Sequence, residues 1–461
     1  MFTRIEIDGF KTFEGFGVDL QPFSVIGGAN AAGKSNLFDA LRFLSRLAEA
    51  DIRTALQDLR GEPHELFRLG SNGFSASAMK FAIEVLLDPS VKDPYGQQKD
   101  LTNTRIRYEV HIEQRPVAKT GLEKLFISHE RASPILKKDD RLLQLSSKKD
   151  QDAIAQYAFV QRGKKNDFLA VETQGAAREI KIHQDGTAGR RRSLPLGEAE
   201  GTALSTIRTA EEFPHLFALR EELASLHYLQ LDPAAERLPS DLLAPDQLEP
   251  NGSNLAKVLA RIRNETRTDQ RPNGVLEDIR ANLVELVPGI LDLEVERNEA
   301  AREYQLFLTM RDETRFSSRV ISDGTLRILA LLTMLHDPSR RGVLCFEEPE
   351  NGVHEARVEG IISLLRDACT DLRMMPAPER RHLTQVIVNT HSPAVLQCLN
   401  PHEIILAEMV AVSDPGSGKV ARKTRMRTGV TDELALESRE SRLTRYEIDR
   451  ILRRELDSVD Q

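Results

Sequence analysis

The stretch that most constrains this chain is GANAAGKS, Gly28 to Ser35, a complete G-x-x-x-x-G-K-[ST] pattern. PFSVIGG before it reads as a strand leading into a glycine-rich turn. After it, Leu37, Leu41, Phe43, Leu44 and Leu47 recur at helical spacing from Lys34 to about Glu49. A phosphate-binding loop needs this strand–loop–helix setting. Small residues let backbone N–H groups close around phosphate oxygens, and the helix N-terminus adds a favourable dipole. Lys34 reaches the β and γ oxygens and Ser35 ligates Mg²⁺. The pattern therefore implies ATP or GTP.

Two further strand ends carry polar chemistry. VLCFEEPENGVH places Glu347 and Glu348 directly after an apolar run. Glu347 is assigned to magnesium and Glu348 to an attacking water, since a second acid there can orient or deprotonate it. VIVNTHSP repeats the layout, ending in Thr390, His391 and Ser392. His391 is placed to hydrogen-bond a γ-phosphate or the attacking water. The alternating strand–helix–strand order predicts a largely parallel, buried sheet with these residues at strand C-termini.

SDGTLRILALL, Ser322 to Leu332, opens another helix, with apolar positions at Leu326, Ile328, Leu329, Leu331, Leu332 and Leu335. Ser322 is a good N-cap type. A cap alone gives no reason for glycine at 324, whereas an anion at the helix start does.

Elsewhere, KFAIEVLLD puts Phe81, Ile83 and Val85 on one strand face, and TRIRYEVHIEQ does the same with Ile106, Tyr108, Val110 and Ile112. A sheet-rich region is expected to extend to about Ile182. EEFPHLFALREELASLHYLQLD reads as a helix running into a strand, and DPAAERLPSDLLAPDQLEP as a surface connection. SNLAKVLARIR is expected to be a helix capped by Ser253 or Asn254. GVLEDIRANLVELVPGI is another, stopped at Pro288 and Gly289. DLEVER and EYQLFLTM are expected to pair as strands.

Composition narrows the class. No apolar run approaches bilayer length, and the alternating N-terminus is a strand rather than a signal peptide. The three cysteines, Cys345, Cys369 and Cys398, form neither a disulfide framework nor a zinc site, so a reducing cytoplasm is expected. A net charge of −8 makes the molecule no generic polyanion binder. Local basic stretches could still touch nucleic acid, or equally be solvated charge or a protein-docking surface. These are Arg190, Arg191 and Arg192, then Arg422, Lys423, Arg425 and Arg427, and the amphipathic SRLTRYEIDRILRREL.

Taken in order, the phosphate loop, SDGT, CFEEPE and NTHSP resemble the Walker A, signature, Walker B with D-loop, and H-loop motifs of ABC-type ATPases. The soluble SMC-like, RecF-like and OLD-like group matches better than membrane transporters do. The opening IEIDGFKTFEGFGVDLQPFSVIGGANAAGKSN is also similar to that group. The resemblance implies an α/β ATPase head with a mixed or parallel sheet core, an antiparallel β subdomain and a helical insertion. It places the first part of the head at 1–190, the insertion or lid at 191–300, the second part at 301–410 and a basic tail or helix at 411–461. Gly28, Asn30, Gly33, Lys34, Ser35 and Asn36 would bind ATP, Ser35 and Glu347 would serve Mg²⁺, and Glu348 and His391 would be catalytic. Ser322 and Gly324 would act in trans on ATP held by a second copy, giving a homodimer or higher even oligomer with ATP between protomers. Asp323 departs from the commoner glycine pair, so its carboxylate must point away from the phosphate or face Mg²⁺. His354 and Glu355 follow the D-loop-like turn, where relatives often have His-Pro.

OLD proteins carry a Toprim nuclease after the ATPase. Here roughly 70 residues follow NTHSP, with no Glu…Asp-x-Asp cluster, so any nuclease or toxin effector is expected on a separate chain. SMC proteins insert long coiled coils, and no sustained heptads occur between residues 90 and 320. The resemblance implies control of a partner or of DNA in prokaryotic anti-phage defence or genome maintenance, without a membrane role. The alternative is an ATP-gated scaffold or sensor in which slow hydrolysis is a timer.

Overall fold

The computed structural model describes residues 1–452 apart from 58, 71–72, 118–120, 122, 145, 147, 159–165, 175–176, 184–191, 375–381, 414–419 and 430–441. The chain forms two compact units. The first comprises Met1–Leu226, Thr370–Gln385 and Asn400–Arg450, and the second contains His227–Cys369 and Val386–Leu399.

The first unit contains an eight-stranded sheet, the phosphate-loop strand with its neighbours, and the small pair Ser90–Lys92 and Gln98–Asp100. In the eight-stranded sheet the order is Arg192–Pro195, Ala177–Ile182, Leu169–Gln174, Glu123–Pro134, Arg105–Pro116, Ala78–Leu86, Phe2–Asp8 and Phe16–Asp19. All neighbours run antiparallel. The two faces expected from alternation lie opposite each other, with Phe81 against Val110, Ile83 against Tyr108 and Val85 against Ile106. All six are buried, and such cross-strand pairs are the unit of sheet stability.

The polar edge of this packing is anchored by Arg105, which is fully buried. Its guanidinium donates through Nε to Asp140 Oδ2 at 3.0 Å and through Nη2 to Oδ1 at 2.9 Å. Nη1 donates to the Val85 carbonyl and to Thr3 Oγ1. The bidentate match and the filled donors make this buried ion pair tolerable.

The phosphate-loop strand, Phe23–Gly27, is buried at all five residues, the mark of a strand covered on both faces. Ile404–Ser413 runs parallel to it, and Val420–Gly429 runs antiparallel to Ile404–Ser413. Arg422, Lys423, Arg425 and Arg427 therefore lie on an inner hairpin strand, which corrects their reading as part of a tail. Arg425 and Arg427 both pair with Glu408, and Arg427 also reaches Glu447. Those two cations are neutralised within the fold. Arg190 and Arg191 lie outside the described residues. The amphipathic C-terminal stretch does form a helix, Arg445–Leu452.

In the second unit, Gly342–Glu347 lies between the parallel strand His227–Leu229 and Thr384–Thr390. Ile290–Asn298 and Glu303–Met310 pair antiparallel, as expected, and are joined by Ser240–Asp241 and Arg315–Ser317. Two of these four strands, Ser240–Asp241 and Ile290–Asn298, fall within 191–300, the segment expected to be a helical insertion. Leu255–Thr266 and Leu276–Leu286 supply its helices. Asn254 stands at the start of the first but does not cap it. Its side chain instead accepts from the Glu249 N–H and donates to the carbonyls of Pro245 and Gln247, holding the preceding loop. The helix Asp323–His336 buries Leu326, Ile328, Leu329, Leu331 and Leu332.

No helix among the described residues is long and apolar enough to cross a membrane. Cys345, Cys369 and Cys398 are free thiols, the first two buried.

Candidate functional site

In the first unit the chain leaves its buried strand through Gly28 at φ +150°, passes Ala31 at φ +64° and enters the helix Lys34–Leu47 from Gly33 at φ +93°. Two of these three positive φ values fall on glycine because left-handed backbone costs a side chain about 1 kcal/mol or more. Space is equally restrictive. A Cβ on Gly33 would stand 2.0 Å from Thr424 Oγ1, and one on Gly28 would stand 2.4 Å from the Ala407 carbonyl oxygen.

Gly33 offers no side-chain cap, so the first-turn N–H groups of the helix keep their capacity for an external acceptor. Lys34 is buried, and its Nζ donates to the carbonyls of Gly28 at 2.6 Å and Ala29 at 2.9 Å. The ammonium is thereby held over the loop. Ala29, Asn30 and Ala31 are exposed, and Ser35 is half-buried at the helix start. Uncapped N–H groups, a fixed ammonium and a hydroxyl fit a triphosphate and a hard, oxygen-loving cation such as Mg²⁺.

Asn36 has a bracing contact. Its Nδ2 donates to Thr12 Oγ1 at 2.9 Å, Thr12 Oγ1 and Thr424 Oγ1 are 2.7 Å apart, and Thr424 Oγ1 donates to the Ala32 carbonyl. This hydroxyl chain ties the loop to a strand nearly four hundred residues away in sequence. Beside it, buried Asp39 receives Lys11 Nζ at 2.6 Å, with Arg60 at 3.6 Å and Arg42 at 4.0 Å. Three cations thus surround one buried carboxylate beside the phosphate-loop helix. Thr12, Thr424, Lys11 and Arg60 escaped the sequence reading because no local spacing links them to GANAAGKS.

In the second unit, Glu347 ends its strand and Glu348 adopts φ +47°. A left-handed glutamate is a strained backbone of the sort that gathers at functional positions. Neighbouring contacts over-determine it. The Glu348 N–H is shared by the main-chain and side-chain oxygens of Asn389, both at 3.1 Å. Glu348 Oε1 lies 3.0 Å from His391 Nδ1, and Oε2 accepts from Asn351 Nδ2 at 2.5 Å. Asn389 Nδ2 donates to Glu347 Oε1 at 3.2 Å. Asn389 thus sets both acids, a role with no motif to announce it.

His391 and Glu348 are partly exposed, side by side, where two strand ends meet. Below them Thr390 Oγ1 donates to Glu350, whose Oε2 is buried without a partner. Burial holds the Glu350 carboxyl above its ordinary range, partly offset by that bond. His354 accepts from the Ala356 N–H and caps the following turn.

Ser322 does cap its helix, accepting from the Thr325 N–H at 3.3 Å. Gly324 has an independent steric reason to be glycine, since a Cβ there would stand 1.9 Å from the Gly352 carbonyl oxygen. Gly352 itself is at φ +77° in the turn after Glu348. The helix start and the acidic turn are therefore in van der Waals contact through two glycines.

A buried strand feeding a glycine loop and a helix is the arrangement of a P-loop nucleotide-binding domain. Residues 23–169 and 184–397 match the family described as "AAA domain, putative AbiEii toxin, Type IV TA system", and the chain belongs to that family. No curated protein sequence matches it. Among solved structures it is similar to an SMC head bound to the C-terminal winged-helix domain of ScpA, with 14% identity, TM-score 0.46 and coverage of 93% of this chain and 97% of that one. It is also similar to the SMC head of Thermotoga maritima (14%, 0.36, 91% and 97%). A third is the Pyrococcus yayanosii Smc head with a coiled coil and joint (12%, 0.46, 98% and 99%).

Proposed function

We propose that this chain binds ATP with Mg²⁺ and hydrolyses it slowly, and that ATP joins two copies. The observation that carries the reading is the Glu348–His391 pair, 3.0 Å apart, with Glu348 on a strained turn whose backbone touches the Ser322–Gly324 helix start. Lys34 and the loop N–H groups would hold the triphosphate, and Ser35 and Glu347 would supply oxygen donors for the cation. His391 would orient the attacking water, and Glu348 would orient it or take its proton. Ser322 and Gly324 would meet the triphosphate of a second copy, so that nucleotide binds the dimer and its loss loosens it.

Such a dimer would control a separate effector protein or DNA in prokaryotic defence or genome maintenance, and the family's description as a putative toxin favours defence. A second reading, an ATP-gated scaffold in which hydrolysis is only a timer, has support in the fact that both Glu348 oxygens already accept hydrogen bonds. Those bonds stabilise the charged carboxylate and weaken it as a base, which favours slow turnover.

The test is Glu348→Gln, assayed for phosphate release and, by light scattering after size exclusion, for mass with ATP and Mg²⁺. Loss of hydrolysis together with a stable ATP-dependent dimer is expected. A variant that stays monomeric at saturating ATP overturns the proposed dimer.

A further inference from the structure

Asp323 places a carboxylate at the first turn of the helix that, on the reading above, receives an anion. The structure shows where that charge goes. Its carboxylate forms an ion pair with Arg237, on the chain immediately after the short helix Pro233–Glu236. Arg237 Nη2 also donates to the Ile321 carbonyl at 3.0 Å, and Nη1 to the Pro233 carbonyl at 3.2 Å. One guanidinium therefore holds the residues on either side of Ser322.

The arginine is itself anchored. Asp232 caps its short helix by accepting from the Ala234 N–H, and Ser318 Oγ donates to the Arg237 carbonyl at 2.8 Å. The Ile321 carbonyl and the Asp323 carboxylate are both acceptors that would repel phosphate. Drawing both to one cation turns them aside and leaves exposed Ser322 and the start of the helix to face an anion.

We propose that Arg237 is the positioning residue that makes this helix start competent for a triphosphate, by neutralising Asp323 and fixing the backbone at Ile321. The inference rests on the ATP-joined dimer proposed above and names its charge control. Arg237 touches no reacting atom in this scheme. Without it, an uncompensated carboxylate stands beside the incoming γ-phosphate, and like charges so placed cost a large share of the ATP-dependent association.

The experiment uses the full chain with Glu348→Gln as background, and titrates ATP with Mg²⁺ against dimer mass. Adding Arg237→Gln, which keeps a donor near Ile321 but removes the charge, is expected to raise the half-maximal ATP concentration by about tenfold or more. Adding Asp323→Asn to that variant is expected to restore the parent value, a rescue that a merely structural arginine would not permit. Arg237→Lys, which keeps the charge, is expected to stay within about threefold of the parent. An Arg237→Gln variant that dimerises like its parent overturns the proposal, as does a folded variant that Asp323→Asn fails to rescue. If Arg237→Gln does not fold, Arg237→Lys decides it, and a tenfold loss there overturns it. Failure of the Glu348→Gln parent to dimerise is a different result and removes the underlying dimer.

Discussion

Glu236 offers the sharpest quantitative test of the packing behind the signature-like helix. Its side chain is 2% exposed, and neither carboxyl oxygen has a hydrogen-bond partner. Burial pushes its pKa from 4.5 up to about 7. Asp232 and Asp323 add to the rise, while Arg327 and Arg237 oppose it. A folded-state pKa raised this way means that the folded chain keeps a proton the unfolded chain releases between pH 4.5 and 7. The associated stability is complete below the lower value, is lost as pH rises, and levels off above the higher one. At ~1.4 kcal/mol per tenfold change in proton affinity, the full interval is worth about 3.5 kcal/mol. Glu236→Gln keeps the shape and removes the titration. Urea unfolding at pH 5, 6, 7 and 8 should then show the variant gaining about 2.5 kcal/mol on the wild type across the series, which starts just above the lower pKa. Burial lowers the pKa of His227 and His336, which gives the opposite slope, but both are common to the two proteins and cancel in the difference. Parallel pH profiles for wild type and Glu236→Gln would refute a buried, protonated Glu236.

Other outcomes follow from geometry. Gly324→Ala drives a methyl to within 1.9 Å of the Gly352 carbonyl oxygen, and should destabilise the chain by about 1–3 kcal/mol in denaturant melts while abolishing ATP-dependent dimerisation. Asp140→Ala leaves the Arg105 guanidinium buried without its bidentate acceptor, so unfolding free energy should fall by roughly 3–5 kcal/mol. Lys34→Ala removes the ammonium held over the phosphate loop, and fluorescent ATP titration should show at least a tenfold weaker affinity with an unchanged circular dichroism spectrum.

Sequence alone determined what depends on local spacing. The phosphate loop, the alternating faces of 78–86 and 105–116, the Ser322 cap and the acidic and histidine strand ends were all legible. Each is a pattern of a few residues whose physical reason lies in the backbone beside it. Even so, Asn254 shows the limit of that kind of reading, because a good cap residue was taken by the loop before it. The basic run Arg422 to Arg427 shows another, since only the fold brings Glu408 opposite Arg425 and Arg427 and Glu447 to Arg427, so that two acids balance two of its charges.

Tertiary structure alone decided the residues that act at long range. Thr424 braces Ala32, Asn389 sets Glu347 and Glu348, and Gly352 explains Gly324, each through a contact between segments far apart in sequence. Asp323 is the clearest case. By itself it is an acid at a site that should favour anions. Its counter-charge, Arg237, comes from a proline-rich stretch that reads as mere connection. Electrostatic energy depends on distance through space, and only the folded chain brings those two residues together.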